Sequence, residues 1–221
     1  MSHIQERDSR VDPHSSVEKL RLLGGRLCLD FANTVDPRIG PQPEEFLGSY
    51  HELVMWSRYV QVLTEEEAQD LLREATRSPQ AATVTFHRAI ALREAIYRVF
   101  SAEASRSLPQ TADLEALGDA FVEAMGHARM RPSAQGFQWE WVKQEQRLDR
   151  MLWPIARSAV ELLTSEEVQR VRVCPGCGWI LLDMSKNGSR QWCSMEGCGS
   201  RAKMRRQYAR KHRKEMELDT P

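Results

Sequence analysis

Cys174-Pro175-Gly176-Cys177-Gly178 and Cys193-Ser194-Met195-Glu196-Gly197-Cys198-Gly199 form two short-spaced cysteine pairs with fifteen residues between them. Zinc takes four soft ligands at the corners of a tetrahedron, about 2.3 Å from the metal. A C-x2-C turn supplies two adjacent corners if the backbone folds tightly round the sulfurs, and glycines stand beside both pairs. Cys174, Cys177, Cys193 and Cys198 would fill the coordination sphere and leave no place for water, so the expected cofactor is one structural Zn2+. A segment this short buries too little apolar surface to fold alone, and the metal would supply most of its folding free energy. A redox dithiol, a disulfide and iron are the competing readings; two matched pairs favour a metal. The fifth cysteine, Cys28, lies in the apolar run Leu27-Cys28-Leu29 and reads as a small buried hydrophobe.

Downstream of the second pair, Arg201 to Leu218 lacks glycine and proline and is expected to be a helix, with Ser200 as its N-cap. Its positive end would favour the Cys198 thiolate. Met204, Tyr208 and Lys211 make a narrow packing face, while Lys203, Arg206, Arg210 and Arg213 recur three or four apart on another. With a hairpin through Trp179-Ile180-Leu181-Leu182, these parts make a treble-clef-like finger with a short β-hairpin and a basic C-terminal helix. Arg190, Arg201, Lys203, Arg205, Arg206, Arg210, Lys211 and Arg213 are the candidate nucleic-acid contacts, because such a face neutralises phosphates and releases counterions. Trp192 beside Arg190 could stack on a base, although so small a finger needs its apolar residues for packing. The competing reading of the helix is a solvated basic face that docks on an acidic surface.

Upstream, the periodicity is helical. The run Arg26 to Val35 follows Gly24-Gly25 and is expected as a buried helix rather than a strand, ending at the proline-rich loop Pro37 to Pro43. Leu53, Trp56, Tyr59, Val60 and Leu63 give one apolar face over Tyr50 to Leu63. Thr64 and Glu67 form a capping-box pattern that opens a helix to about Arg77. Ala81 to Ser105 is expected as the main core helix, and Leu114 to Met125 as another. Phe137 to Val142 alternates aromatic and polar residues, as a short strand does. Leu148 to Leu163 closes the series, with Pro154 starting or bending a turn. A second capping pattern, Thr164-Ser165-Glu166-Glu167, leads into the cysteine cluster. The expected organisation is a tail over 1–16, a helical domain over 17–170 and the finger over 171–217, a mainly α fold.

Two hundred and twenty-one residues, 41% of them apolar and 28% charged, make a globular composition. No apolar run approaches the roughly 18 residues a span needs, and Met1 to Ser16 is polar, so neither a membrane span nor a signal peptide is expected. The expected setting is a reducing cytoplasm. Thirty-one basic and 31 acidic residues cancel. The cancellation hides a division: residues 171–221 carry 11 Lys and Arg against 5 Asp and Glu, a net of +6, and residues 1–170 carry 20 against 26, a net of −6.

Asp183-Met184-Ser185-Lys186-Asn187, Arg190-Gln191-Trp192-Cys193-Ser194-Met195 and Cys198-Gly199-Ser200-Arg201-Ala202-Lys203 resemble the CGNR zinc finger. Gly24-Gly25-Arg26-Leu27-Cys28-Leu29-Asp30-Phe31-Ala32-Asn33-Thr34-Val35 and Leu92-Arg93-Glu94-Ala95-Ile96 resemble the ABATE domain that usually precedes it. The resemblance implies a bacterial protein of a class described as stress-induced transcription regulators, with the four cysteines as zinc ligands and the finger on nucleic acid. Ser200 stands where the family's name calls for Asn, and Gln191 where a second arginine is common. If that Asn reads an adenine edge, Ser cannot reproduce its bidentate contact.

The leading functional reading is therefore a regulator whose helical domain senses or assembles and whose zinc-held basic helix engages DNA. The alternative is a non-specific nucleic-acid or protein adaptor. A regulator reading two half-sites would work as a homodimer; no small-molecule effector is legible. An enzyme is not expected: Asp30, Asn33, Thr34 and Asp36 precede a proline-rich loop as turn and capping residues do, and no nucleophile pairs with a base at a diagnostic spacing.

Overall fold

A computed structural model describes residues 16–134, 136–142 and 147–218, with the side chains of residues 16, 18 and 211–218 outside the description. The tail expected over 1–16 thus lies almost wholly outside the described residues. After a 3-10 turn at Ser16–Lys19 the chain forms α1 (Leu27–Ala32), the two-residue strands β1 (Val35–Asp36) and β2 (Glu44–Glu45), α2 (Tyr50–Tyr59), α3 (Glu65–Arg77), α4 (Pro79–Ala104) and α5 (Thr111–Gly126). The hairpin β3 (Ala128–Ser133) and β4 (Gly136–Trp141), α6 (Leu152–Leu163), β5 (Val171–Val173), β6 (Ile180–Leu182) and α7 (Ser200–Leu218) follow. Among the described residues helices dominate, and each of the three antiparallel strand pairs stands alone.

Local chemistry sets several helix starts. Thr64 and Glu67 make the reciprocal capping box: the Thr64 hydroxyl accepts from Glu67 N at 3.2 Å, and the Glu67 carboxylate accepts from Thr64 N at 2.9 Å. Ser49 caps α2 by accepting from His51 N. α4 opens with Pro79 in its first turn, where the missing N–H costs nothing. The same logic resolves Pro154. α6 begins at Leu152, so the proline falls in its first turn and neither bends nor breaks the helix.

Three points depart from the sequence pattern. β3 pairs with β4 through Met130↔Trp139 and Pro132↔Phe137, so the strand expected from Phe137 has a partner that no residue pattern announced. Alternating Arg129 and Arg131 disguised this strand, and its proline is tolerated because the strand is an edge. Its apolar face stays open, with Met130, Phe137 and Trp139 exposed. Second, Thr164-Ser165-Glu166-Glu167 caps nothing. The Thr164 and Ser165 hydroxyls donate back to Val160 O and Leu162 O at the end of α6, each at 2.8 Å, and Glu166–Arg170 is a 3-10 turn. Third, two residues of the α7 face expected to pack stay largely in solvent: Met204 is 58% and Tyr208 68% exposed.

One apolar core runs through the chain, from Val17 through α1, α4 and α6 to Ile180, Leu181, Leu182 and the cysteines. The core therefore crosses residue 170, where the sequence changes character. Among the described residues no helix is long and apolar enough to cross a membrane.

Candidate metal centre and nucleic-acid interface

The first cysteine turn closes through two backbone bonds, Cys174 N to Trp179 O and Gly178 N to Cys174 O, each at 2.8 Å. Gly176 lies against the second pair so closely that a Cβ there would meet Cys198 Cβ at 2.8 Å and its sulfur at 2.9 Å. Gly178 has φ +79°, and a Cβ would also strike Ile39. The second turn begins at Ser194, whose hydroxyl accepts from Gly197 N at 3.2 Å and caps a wide helical turn, Met195–Gly199. α7 continues directly from it. The N-cap is thus Ser194, six residues earlier than expected, and Ser200 has helical dihedrals (φ −62°, ψ −46°). Cys198 consequently sits inside the helical N-terminus, where the backbone dipole favours a thiolate.

All four sulfurs are buried and lie within 4.8 Å of one another. Cys177 Sγ and Cys193 Sγ are 3.5 Å apart. A tetrahedron with bonds of about 2.3 Å has edges near 3.8 Å, so the sulfurs fit one zinc ion. Without a cation they cannot all ionise: hydrogen bonds from Cys177 and Cys193 hold Cys174 far below the thiol range, and hydrogen bonding to Cys174 and Cys193, with burial, pushes Cys177 up. Arg201 Nη2 donates to Cys198 Sγ at 3.1 Å, and that bond raises the guanidinium above its usual range. The centre is closed and structural. Cys28 is separate from it, buried, with its thiol pushed up to about 12 by burial.

The finger is stitched to the helical part along residues 23–39. Asn33 Nδ2 donates to Ile180 O at 2.8 Å while Ile180 N donates to Asn33 Oδ1 at 2.9 Å. Leu182 N donates to Gly24 O at 2.8 Å, and Arg38 N and Ile39 N both donate to Cys177 O. Trp179 Nε1 donates to Val35 O at 2.8 Å, and the Tyr97 hydroxyl to Gly178 O at 3.1 Å. Beneath the seam, Arg38 Nη1 donates to both Glu94 carboxylate oxygens at 2.9 and 2.8 Å, while its guanidinium also bonds Ala32 O and lies 4.3 Å over the Tyr97 ring. Arg93, 3% exposed, holds Glu45 at 2.6 and 2.7 Å and donates to Thr34 Oγ1. Asp30 Oδ1 accepts from Gly24 N at 2.7 Å. Asp30, Asn33, Thr34 and Arg38 thus each have a bonding task.

The predicted nucleic-acid contacts separate into two groups. Arg190 turns inward, donating to Trp192 O at 3.2 Å, Cys193 O at 2.7 Å and Leu23 O at 3.2 Å. Its N–H binds the buried Asp183, whose carboxyl burial pushes up but bonds from Ser185 and Arg190 hold below its usual range. Arg201 is on the Cys198 sulfur. Lys203, Arg205, Arg206 and Arg210 are exposed, and no carboxylate pairs with them among the described residues. The side chains of Lys211 and Arg213 lie outside the described residues. Lys203, Arg206 and Arg210 line an open groove of about 760 Å³ whose other walls include Trp192, Met195, Ser200 and Gln207.

A family model described as "CGNR zinc finger" matches residues 170–211, and one described as "Putative stress-induced transcription regulator", ABATE, matches residues 25–166. The chain belongs to the ABATE family. No curated protein matches it. Neither family description is that of an enzyme. In this ABATE chain the finger and the ABATE segment share the seam, and the segment's Asp30-Phe31-Ala32-Asn33-Thr34 run contributes Asn33 to it. The Ser that replaces the Asn of the CGNR name lines the groove rather than capping the helix. From sequence, Arg93 and Glu94 enter only through the resemblance, Asn33 also as a turn or capping residue, and Arg38 has no role.

Proposed function

We propose that this ABATE protein is a DNA-binding transcription regulator, with the helical part sensing or assembling and the zinc-held basic helix engaging DNA. One observation carries the reading: Lys203, Arg206 and Arg210 stand on one groove, exposed and without a carboxylate partner among the described residues. From residue 203 to 210 the helix rises about 10 Å. That is the axial length of about three phosphates of one strand. The family description supports a role in a stress response, and the bacterial cytoplasm is the setting that goes with it.

The test is fluorescence anisotropy of the full, zinc-loaded chain on duplex DNA over a salt series. Four phosphate contacts give a log-log slope of roughly −3 to −4, and replacing Arg206 and Arg210 with alanine should flatten it by about 2. No binding at low salt overturns the proposal, and an unchanged slope removes α7 as the contact. Ser200 favours a second reading, non-specific binding, because it lines the groove and offers no bidentate base contact. Equal affinity for a promoter fragment and a scrambled one decides for it. A regulator reading two half-sites would bind as a homodimer, which light scattering of the complex reads directly.

A further inference from the structure

The groove along α7 has two chemically different ends. Lys203, Arg206 and Arg210 occupy one, at positions i, i+3 and i+7 of the helix. At the other, Trp192 and Met195 lie side by side on the backbone of Gly199: a Cβ at residue 199 would meet Met195 Sδ at 3.1 Å and Trp192 Cδ1 at 3.4 Å. Met195 is 73% exposed, whereas the finger's Trp179, Ile180, Leu181 and Leu182 are all buried. Phosphate binding needs no such apolar floor. Glu196 stands beside Met195 with Arg21 3.8 Å from its carboxylate, so that end has no cation left over for phosphate and the floor suits an uncharged, flat group whose phosphates lie towards Arg210.

A nucleobase flanked by phosphates has that composition. In a paired, stacked duplex its faces are covered by neighbouring bases, so it reaches a concave floor only when unstacked. The groove receives a ligand rather than projecting into one, and its volume of about 760 Å³ lies within the range of about 300–1,000 Å³ for small-ligand sites. Gln207 adds an amide that can bond a base edge.

We propose that the groove binds an unpaired nucleobase, seated on Met195 and Trp192 with its flanking phosphates on Lys203, Arg206 and Arg210. This rests on the nucleic-acid reading of α7 and specifies what the site selects. The unpaired base can come from a single strand or from an extrahelical position in a duplex, which share the same chemistry.

The experiment compares three DNA probes on the full, zinc-loaded chain: a single strand, its blunt duplex, and that duplex carrying one extrahelical 2-aminopurine. Binding should favour the single strand or the extrahelical duplex over the blunt one, and 2-aminopurine emission should fall as the base stacks. Which of the two is preferred identifies the source. Met195→Ala, at an exposed position, should weaken binding to the unpaired probes by about 2- to 10-fold and leave the blunt duplex and the salt slope unchanged. Trp192→Phe should retain the preference. Equal affinity for all three probes, or a Met195→Ala variant that keeps the preference, overturns the proposal while leaving charge-driven DNA binding in place. Binding to none of the probes overturns both.

Discussion

The side-chain amide of Asn33 and the backbone of Ile180 bond each other in both directions, at 2.8 and 2.9 Å, in a buried setting. The amide copies the donor and acceptor of a neighbouring strand and so completes an edge of β6 that would otherwise be buried unpaired. Few side chains can do this, because both a donor and an acceptor must lie in one plane at peptide spacing.

Asn33→Ala should therefore cost about 1–3 kcal/mol, since it strands a buried N–H and a buried C=O together. Asn33→Asp should cost more at neutral pH, because it sets a second acceptor against Ile180 O and buries a charge. Urea unfolding measures both. An alanine variant within about 0.5 kcal/mol of the parent would remove this pair from the sources of stability.

Zinc removal should destabilise the whole chain. β6 follows the first cysteine pair and lies with the four cysteines in the core that the helices share, so chelation is expected to lower the melting temperature of the helical signal at 222 nm together with the near-ultraviolet signal of the tryptophans. Two separate transitions, with the helical one unmoved, would show that the metal stabilises only the finger.

Asp30 should give an unusual pH response. Burial pushes its carboxyl up to about 6, against hydrogen bonds from the Gly24 and Leu23 N–H groups. Its unfolded value is about 3.9, so between these values the folded chain binds more protons than the unfolded one. This group alone makes the fold less stable as pH rises from about 4 to about 6, by an amount on the order of 2–3 kcal/mol. Asp30→Asn keeps an oxygen for the Gly24 N–H and should stabilise the chain at pH 7 but scarcely at pH 4. Equal effects at both pH values would contradict the assignment.

Two arginines of one charge run should behave oppositely. Arg190 bonds three carbonyls across the finger and onto Leu23, so Arg190→Ala should lower stability by about 1–3 kcal/mol. Arg206 is exposed and has no carboxylate partner among the described residues, so Arg206→Ala should change stability by less than about 0.5 kcal/mol and act on DNA affinity alone. Thermal melts and anisotropy on both variants separate the roles; matching losses of stability would refute the division.

Features whose partners lie close in sequence were legible beforehand. The cysteine spacing, the Thr64–Glu67 box and the register of α4 are each settled within a few turns of chain, and the structure returns all three. What escaped depends on distance or competition. Asn33 and Ile180 are 147 residues apart, and no local pattern announces a side chain standing in for a strand. Thr164 and Ser165 had the right residue types for a cap, but the carbonyls ending α6 took their hydroxyls first. Arg190 counted as positive charge in the sequence, and only the fold shows its donors facing carbonyls. Ser200 and Ser194 were equally good caps by type; the close packing of Gly176 on Cys198 goes with a helical turn that starts at the earlier one.

The seam on residues 23–39 also decides how portable the finger is. Cut free at residue 170, it would carry Ile180, Leu181 and Leu182 into water with their backbone partners at Gly24 and Asn33 left behind. An uncovered apolar strand of this kind invites self-association. A graft of this finger onto another protein would need the Gly24–Ile39 strip as its socket, and two such chains could exchange fingers only if their sockets matched.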